Sequence, residues 1–285
     1  MLKTKTNQFI LVSLSLCAVC VGFPMPAASQ TNPSELCSYG LYSENGTYIE
    51  DRSVSIGGLV GSAGNVRVGN NSIVVGDIYS GANVSVMDWA IVDGSVTAQG
   101  NININFAATI IGDSLPQTSV PNVEIPEYSV AYGNENINVW PDSDYTLVPG
   151  DYQDVHAYSR SVIVLESGVY NMRQFILEAD VYALVLDVSN GPIEINVEDT
   201  FRYGDRVYYS VVGTPDPNLV NIYTNSDNQV TIGNDAFFMG TITAPYADIN
   251  VYSRANVEGS LYGDRVTVSP DAVVVSSGCV EVPVI

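Results

Sequence analysis

Beyond residue 5 the chain contains no lysine, and eight arginines and one histidine are all the basic side chains left against 31 acids. Over the full sequence the formal net charge is −21. A field of that sign repels phosphate, so nucleic acid and anionic membrane are excluded as partners. A lyase acting on polyuronates needs a cationic base facing a polyanion, and this chain offers neither lysine nor an attractive surface. Long hydrophobic runs are also scarce. The run from 9 to 22 falls short of the roughly 20 residues a membrane span requires, and no later segment is longer and apolar enough. Lys3 and Lys5 before that run, and Ala27-Ala28-Ser29 after it, make residues 1–29 an export signal. The mature protein is therefore expected to be extracellular or at the cell surface, with the periplasm as the alternative.

Metal and nucleophile motifs are missing too. There is no Gly-Gly-x-Gly-x-Asp nonapeptide, no EF-hand loop, no zinc spacing, no phosphate loop and no nucleophile triad. His156 stands alone, and a lone histidine is usually a surface or turn residue. No metal site and no cofactor are expected, calcium being the one left open by so many acids. Asp235, Asp248, Asp264 and Asp271 could converge as glycosidase carboxylates, but their spacing alone does not bring them together.

What the chain does have is a period. Gly58, Gly76, Gly94 and Gly112 recur at a spacing of 18, as do Asn65, Asn83 and Asn101. Within each unit the alternate residues Val66, Val68, Val74, Ile78, Val84, Val86, Val92, Val96, Ile102, Ile104 and Ile110 are aliphatic, which means short strands with one face inward. Glycine, alanine or asparagine at steps of six marks three sides and three corners. The fold class expected is all-β: a β-solenoid, a triangular β-helix of about 18 residues per rung, in two packed parts. Stacked asparagines suit such corners, because each side-chain amide can bond the one a rung away.

The expected organisation is an irregular lead-in over 30–50, a regular solenoid over 51–114 and a proline-containing linker over 115–130. Pro116, Pro121 and Pro126 remove ladder donors from that linker. A second, less strictly spaced solenoid part over 131–276 and a tail over 277–285 complete the chain. By the 18-residue register, Ile73, Val75, Trp89, Ile91 and Ile111 face outward on one side of the first part. A stripe apolar on both faces is a packing or assembly face, and its expected cover is the second part of the chain. A flat ladder of threonines, which ice binding would want, is absent from this register.

Cys17 and Cys20 fall inside the signal, leaving Cys37 and Cys279, which in an oxidising compartment are expected to form a disulfide. A straight stack of a dozen rungs would hold the chain ends roughly 50 Å apart. Either the two parts lie side by side, so that the ends meet, or the bond joins two molecules.

The run Gly76-Asp77-Ile78, then Gly94-Ser95-Val96-Thr97-Ala98, then Ile110-Ile111-Gly112-Asp113 resembles the bactofilins, bacterial polymer-forming proteins built on an 18-residue triangular β-helix. The chain departs from them in its export signal, since bactofilins work in the cytoplasm. The second part, with Leu147-Val148-Pro149-Gly150-Asp151-Tyr152 and Gly240-Thr241-Ile242-Thr243-Ala244-Pro245, is similar to exported solenoid domains of bacterial surface and pilus-associated proteins. The resemblance implies a non-enzymatic structural or adhesive scaffold whose partners are copies of itself or other surface and matrix components. A carbohydrate-binding module is the alternative, followed by a polysaccharide hydrolase or lyase. For the module, the repeated Tyr203-Asp205-Arg206 and Tyr262-Asp264-Arg265 sets are glycan contacts if exposed, and rung-to-rung ion pairs if not.

Overall fold

The alternating aliphatics are buried inside on the rungs below the top, while on the top rung Ile104, with no rung above it, is 49% exposed. Short parallel strands stack into a three-sided β-solenoid. The structure, a computed structural model, describes residues 35–276. All of them lie in the unit Thr31–Ile285, which separates from Met1–Gln30. The export signal, the tail and Cys279 lie outside the described residues. Besides strands, the described residues hold two three-residue 3-10 turns, Leu36–Ser38 and Pro217–Leu219.

The three faces are named here A, B and C. Face A begins at the bottom with Asn136–Val139 and ends at the top with Ile102–Ile104. Face B runs from Asp144–Leu147 to Thr109–Ile110, and face C from 150–152 to Ser114–Leu115. Val66, Val68, Val84, Val86, Ile249, Val251, Val266 and Val268 are among the face A residues buried in the core.

The order of the rungs is not the order of the chain. Residues 136–276 climb from the bottom, and their last rung pairs with the first strand of the chain, Tyr39–Ile49. Leu261 lies beside Leu41, and Val266 beside Thr47. Val273–Val275 likewise pairs with Val54–Ile56. The residues from 39 onward then continue upward to the top rung, and residues 116–135, which hold no strand, join top to bottom. The two parts are therefore stacked end on in one column, which corrects the side-by-side arrangement. The first and last described strands, Tyr39–Ile49 and Val273–Val275, both lie in the middle of the stack, so they come together without the column folding back. Residues 39–49 are also a full strand rather than an irregular lead-in. Cys37 is disulfide-bonded, and it lies three residues before Gly40, whose Cα faces Ser276 at this seam.

Each corner has its own chemistry. Between faces C and A the asparagine ladder is present: Asn65 Oδ1 accepts from the Asn83 backbone N–H at 3.1 Å, and Asn83 Oδ1 from that of Asn101 at 2.9 Å. Between faces A and B the chain turns through one residue of positive φ per rung. From the bottom these are Asp142, Arg160, Asp180, Arg206, Asp235, Arg254, Asp271, Arg52, Asn71, Trp89 and Ala107. Only some of these types tolerate the left-handed region well. Hydrogen-bonded turns such as Ser161 N–H to Tyr158 O and Ala255 N–H to Tyr252 O close over them.

Aspartate and arginine alternate along this corner. Arg160 forks onto Asp142 (2.9 and 3.0 Å), Arg206 onto Asp180 (2.6 and 2.9 Å), Arg254 onto Asp235 (2.7 and 2.7 Å) and Arg52 onto Asp271 (2.7 and 2.8 Å). The last pair crosses the seam, so the ladder registers the two parts on each other. The Arg254 fork holds the Asp235 carboxyl below its ordinary value. Stability from such a group is present above the unfolded aspartate value near 3.9 and is lost as pH falls through the lower folded value. Melting temperature measured from about pH 5 to pH 2 should therefore fall more steeply for the wild type than for Asp235→Asn. Equal slopes would show that the fork adds nothing.

Candidate binding face

Two of the three faces are unsuited to a large flat ligand. Face C is covered by the segment that joins top to bottom. Val123 and Ile125 pack there with Tyr39, Tyr42, Leu59 and Tyr262, Tyr42 Oη donates to the Val123 carbonyl at 3.0 Å, and Tyr128 stacks on Tyr223 at 3.9 Å between ring centroids. Face A is studded with charge: Arg265 with Asp248, Arg67 with Glu50 and Arg173 with Asp154.

Face B is bare. Two outward ranks run up its upper part in register. One reads Asn256, Val273, Val54, Ile73, Ile91, Thr109, and the other Glu258, Val275, Ile56, Val75, Asp93. Ile111 follows at the top of the face. Ile73, Val75, Ile91 and Ile111 are 38%, 37%, 39% and 63% exposed, and Trp89 at the adjoining corner is 58% exposed. The expected cover by the second part is thus corrected. That part stacks below the first, so its own face B extends the stripe instead of burying it. The sequence missed Val54 and Ile56 because their partners Ile73 and Val75 lie 19 residues on, off the 18-residue register, and Val273 and Val275 because the rank there crosses the seam between residues 219 positions apart.

The spacing is set by the backbone. Rungs are about 4.8 Å apart and alternate residues on a strand roughly 6.6 Å apart. Valine and isoleucine are stiff at χ1, so their methyl groups hold fixed places on this grid. Lower down, Asp144–Leu147, Val162–Glu166, Ala183–Asp187 and Tyr209–Val212 form a separate four-stranded sheet. At the break the rings of Tyr208 and Phe237 lie 5.4 Å apart.

The other sequence candidates are engaged elsewhere. Tyr203 and Tyr262 are buried, their hydroxyls donating to the carbonyls of Phe237 (2.6 Å) and Tyr39 (2.9 Å). Burial raises both phenols, that of Tyr262 to about 12. Arg206 and Arg265 pair with Asp180 and Asp248. Asp205 accepts from the Asn234 backbone at 2.7 Å, and Asp264 from the Asn45 amide. These sets are structural and cannot stack on a sugar. The two Tyr-Gly-Asp-Arg-Val copies even occupy different corners, since Tyr203 pairs with Ile232 on face A and Tyr262 with Tyr42 on face C. Asp235, Asp248, Asp264 and Asp271 each hold their own cation or amide and do not converge. His156 bonds Glu178 at 3.0 Å and stacks on Tyr158. Among the described residues no three metal-ligating side chains come together, and no helix is long and apolar enough to cross a membrane.

No protein-family model matches the chain, and no curated protein does. Among solved structures it is similar to an ice-binding protein of Shewanella frigidimarina, at 15% identity and a TM-score of 0.40, over 87% of this chain and 98% of that one. An ice-binding protein of an Antarctic Flavobacteriaceae bacterium matches at 10% identity and 0.35, over 86% and 98%. A glycosylated ice-binding protein of an Arctic yeast matches at 11% and 0.36, over 90% and 96%. These findings correct the reading as a surface scaffold, adhesin, carbohydrate-binding module or polysaccharide-degrading enzyme: the matched structures are ice-binding proteins. The β-solenoid that the bactofilin resemblance implied is present, whereas membership of the bactofilins is not shown.

Proposed function

We infer that the protein binds ice, without catalysing a reaction, through the aliphatic ranks of face B from Val273 to Ile111. The observation that carries this reading is the uncovered, in-register double rank of β-branched side chains that crosses the seam unbroken. A grid repeating in two directions matches a ligand that itself repeats in two directions, and a crystal surface is such a ligand. Methyl groups at fixed spacing order the water above them at little entropic cost, because the strands and rotamers are fixed before binding. Contiguous exposed apolar surface on a soluble protein marks a contact site. Much of the negative charge lies on face A and at the corners, while the second rank carries Glu258 and Asp93, and a net charge of this size favours solubility. The export signal would deliver it outside the cytoplasm, where ice forms.

Thermal hysteresis of the purified mature protein tests the reading. A measurable gap between melting and freezing points, with faceted crystals in the gap, is expected, and Asn103→Ala on face A should leave it unchanged. A freezing point indistinguishable from that of an inert protein of equal concentration would refute ice binding.

A further inference from the structure

On the second outward rank of face B, Glu258 stands beside Val275, followed by Ile56, Val75 and Asp93. A carboxylate thus closes each end of an otherwise aliphatic run. Glu258 is exposed, no arginine pairs with it among the described residues, and the hydroxyl of Tyr209 is hydrogen-bonded to it. Directly below it lies Met239, which is buried, on the rung that still pairs with 256–258, and one rung lower the regular ladder ends, because Tyr209–Val212 belongs to the separate lower sheet.

We propose that Glu258 sets the lower limit of the ice-contacting surface, confining contact to the strip above it. This rests on the ice reading. An ionised carboxylate holds its own hydration shell, and an advancing ice layer must either strip that shell with no cation to compensate or stop short of it. Asp93 interrupts the same rank one position above Val75, where Ile91 carries the first rank past it and Ile111 resumes at the top of the face. Below the rung of Met239 the strands belong to the separate lower sheet, so its apolar residues Val164 and Val185 contribute no contact continuous with the strip.

The test compares equilibrium adsorption to ice of wild-type protein, Glu258→Val, Glu258→Gln, Ile73→Glu and Val164→Glu, each shown by circular dichroism and melting to be folded. Glu258→Val extends the rank by one rung and should raise the adsorption constant about threefold. Glu258→Gln keeps the side-chain length and an acceptor for Tyr209 while removing the charge, and should show part of the gain. Ile73→Glu should lower adsorption at least about tenfold, and Val164→Glu should leave it unchanged. Wild-type adsorption with no gain from either Glu258 variant would overturn this proposal and leave the ice reading standing. So would a loss in Val164→Glu as large as that in Ile73→Glu. A wild-type protein that does not adsorb at all overturns both.

Discussion

Aspartate in place of Val54 should leave the solenoid folded and reduce thermal hysteresis at least about tenfold. Val54 sits mid-rank on face B, between Val273 below and Ile73 above. It is partly exposed, so its replacement opens no cavity, and the loss of strand preference costs less than about 1 kcal/mol. Ice binding suffers far more, because a new carboxylate in the centre of the strip must lose water without a partner. Hysteresis and melting temperature measured on one preparation separate the two effects. A variant that melts normally and retains full hysteresis would place the contact elsewhere.

The second large effect concerns the seam. Gly57 has φ +75°, and a Cβ there would lie 2.2 Å from the Ser276 carbonyl oxygen, while its neighbour Gly58 has φ +66° with 2.6 Å to the Gly40 nitrogen. Gly57→Ala combines the left-handed penalty of about 1–2 kcal/mol with a clash against backbone that two rungs hold in place, for a total of about 3 kcal/mol or more. For a domain of this size that corresponds to a fall in melting temperature on the order of 10 °C. Gly191, with φ +134° and nothing within 4 Å of its Cβ, is the control. Gly191→Ala keeps the strained φ without the clash and should cost less. Equal losses would show that the seam is no tighter than a loop.

The regular part of the solenoid was legible because its information is local. Asn65, Asn83 and Asn101 bond one another at the spacing that announced them, and the inward valines alternate as they must. The outward direction of Ile73, Val75, Ile91 and Ile111 was legible for the same reason. Their cover was not, because it depends on which rung stacks on which. Strand pairing between Val273 and Val54 leaves no trace in a period read along the chain. In the second part, insertions between rungs hid the register. The gap between partners is 18 residues from Asp144 to Val162 but 25 from Leu184 to Tyr209.

A steadier signal was there at the corner between faces A and B, where the residue after the one with positive φ is small on many rungs: Ser53, Ser72, Ala90, Ser161, Ala236, Ala255 and Ala272, all buried. The tripeptide Tyr-Ser-Arg, present at 158–160 and again at 252–254, lies at this corner on both rungs. The alternation of Asp142, Arg160, Asp180, Arg206, Asp235, Arg254 and Asp271 runs in chain order but was hidden by unequal rung lengths, and only its last step, from Asp271 to Arg52, crosses the seam. The tyrosines of the candidate glycan sets misled for a related reason. Period-two alternation places Tyr203 inward on face A, where its ring packs against Phe238 at 5.5 Å between centroids, and a buried ring is unavailable to a sugar.

The most direct measurement of the central claim is partition into slowly grown ice. Wild-type protein, Val54→Asp on face B and Asn103→Ala on face A are frozen separately from dilute solution under stirring, and protein is assayed in the ice and in the remaining liquid. Wild type and the face A variant should be enriched in the ice and Val54→Asp left in the liquid. Wild-type protein rejected into the liquid, or Val54→Asp incorporated as fully as the wild type, would contradict ice binding by face B.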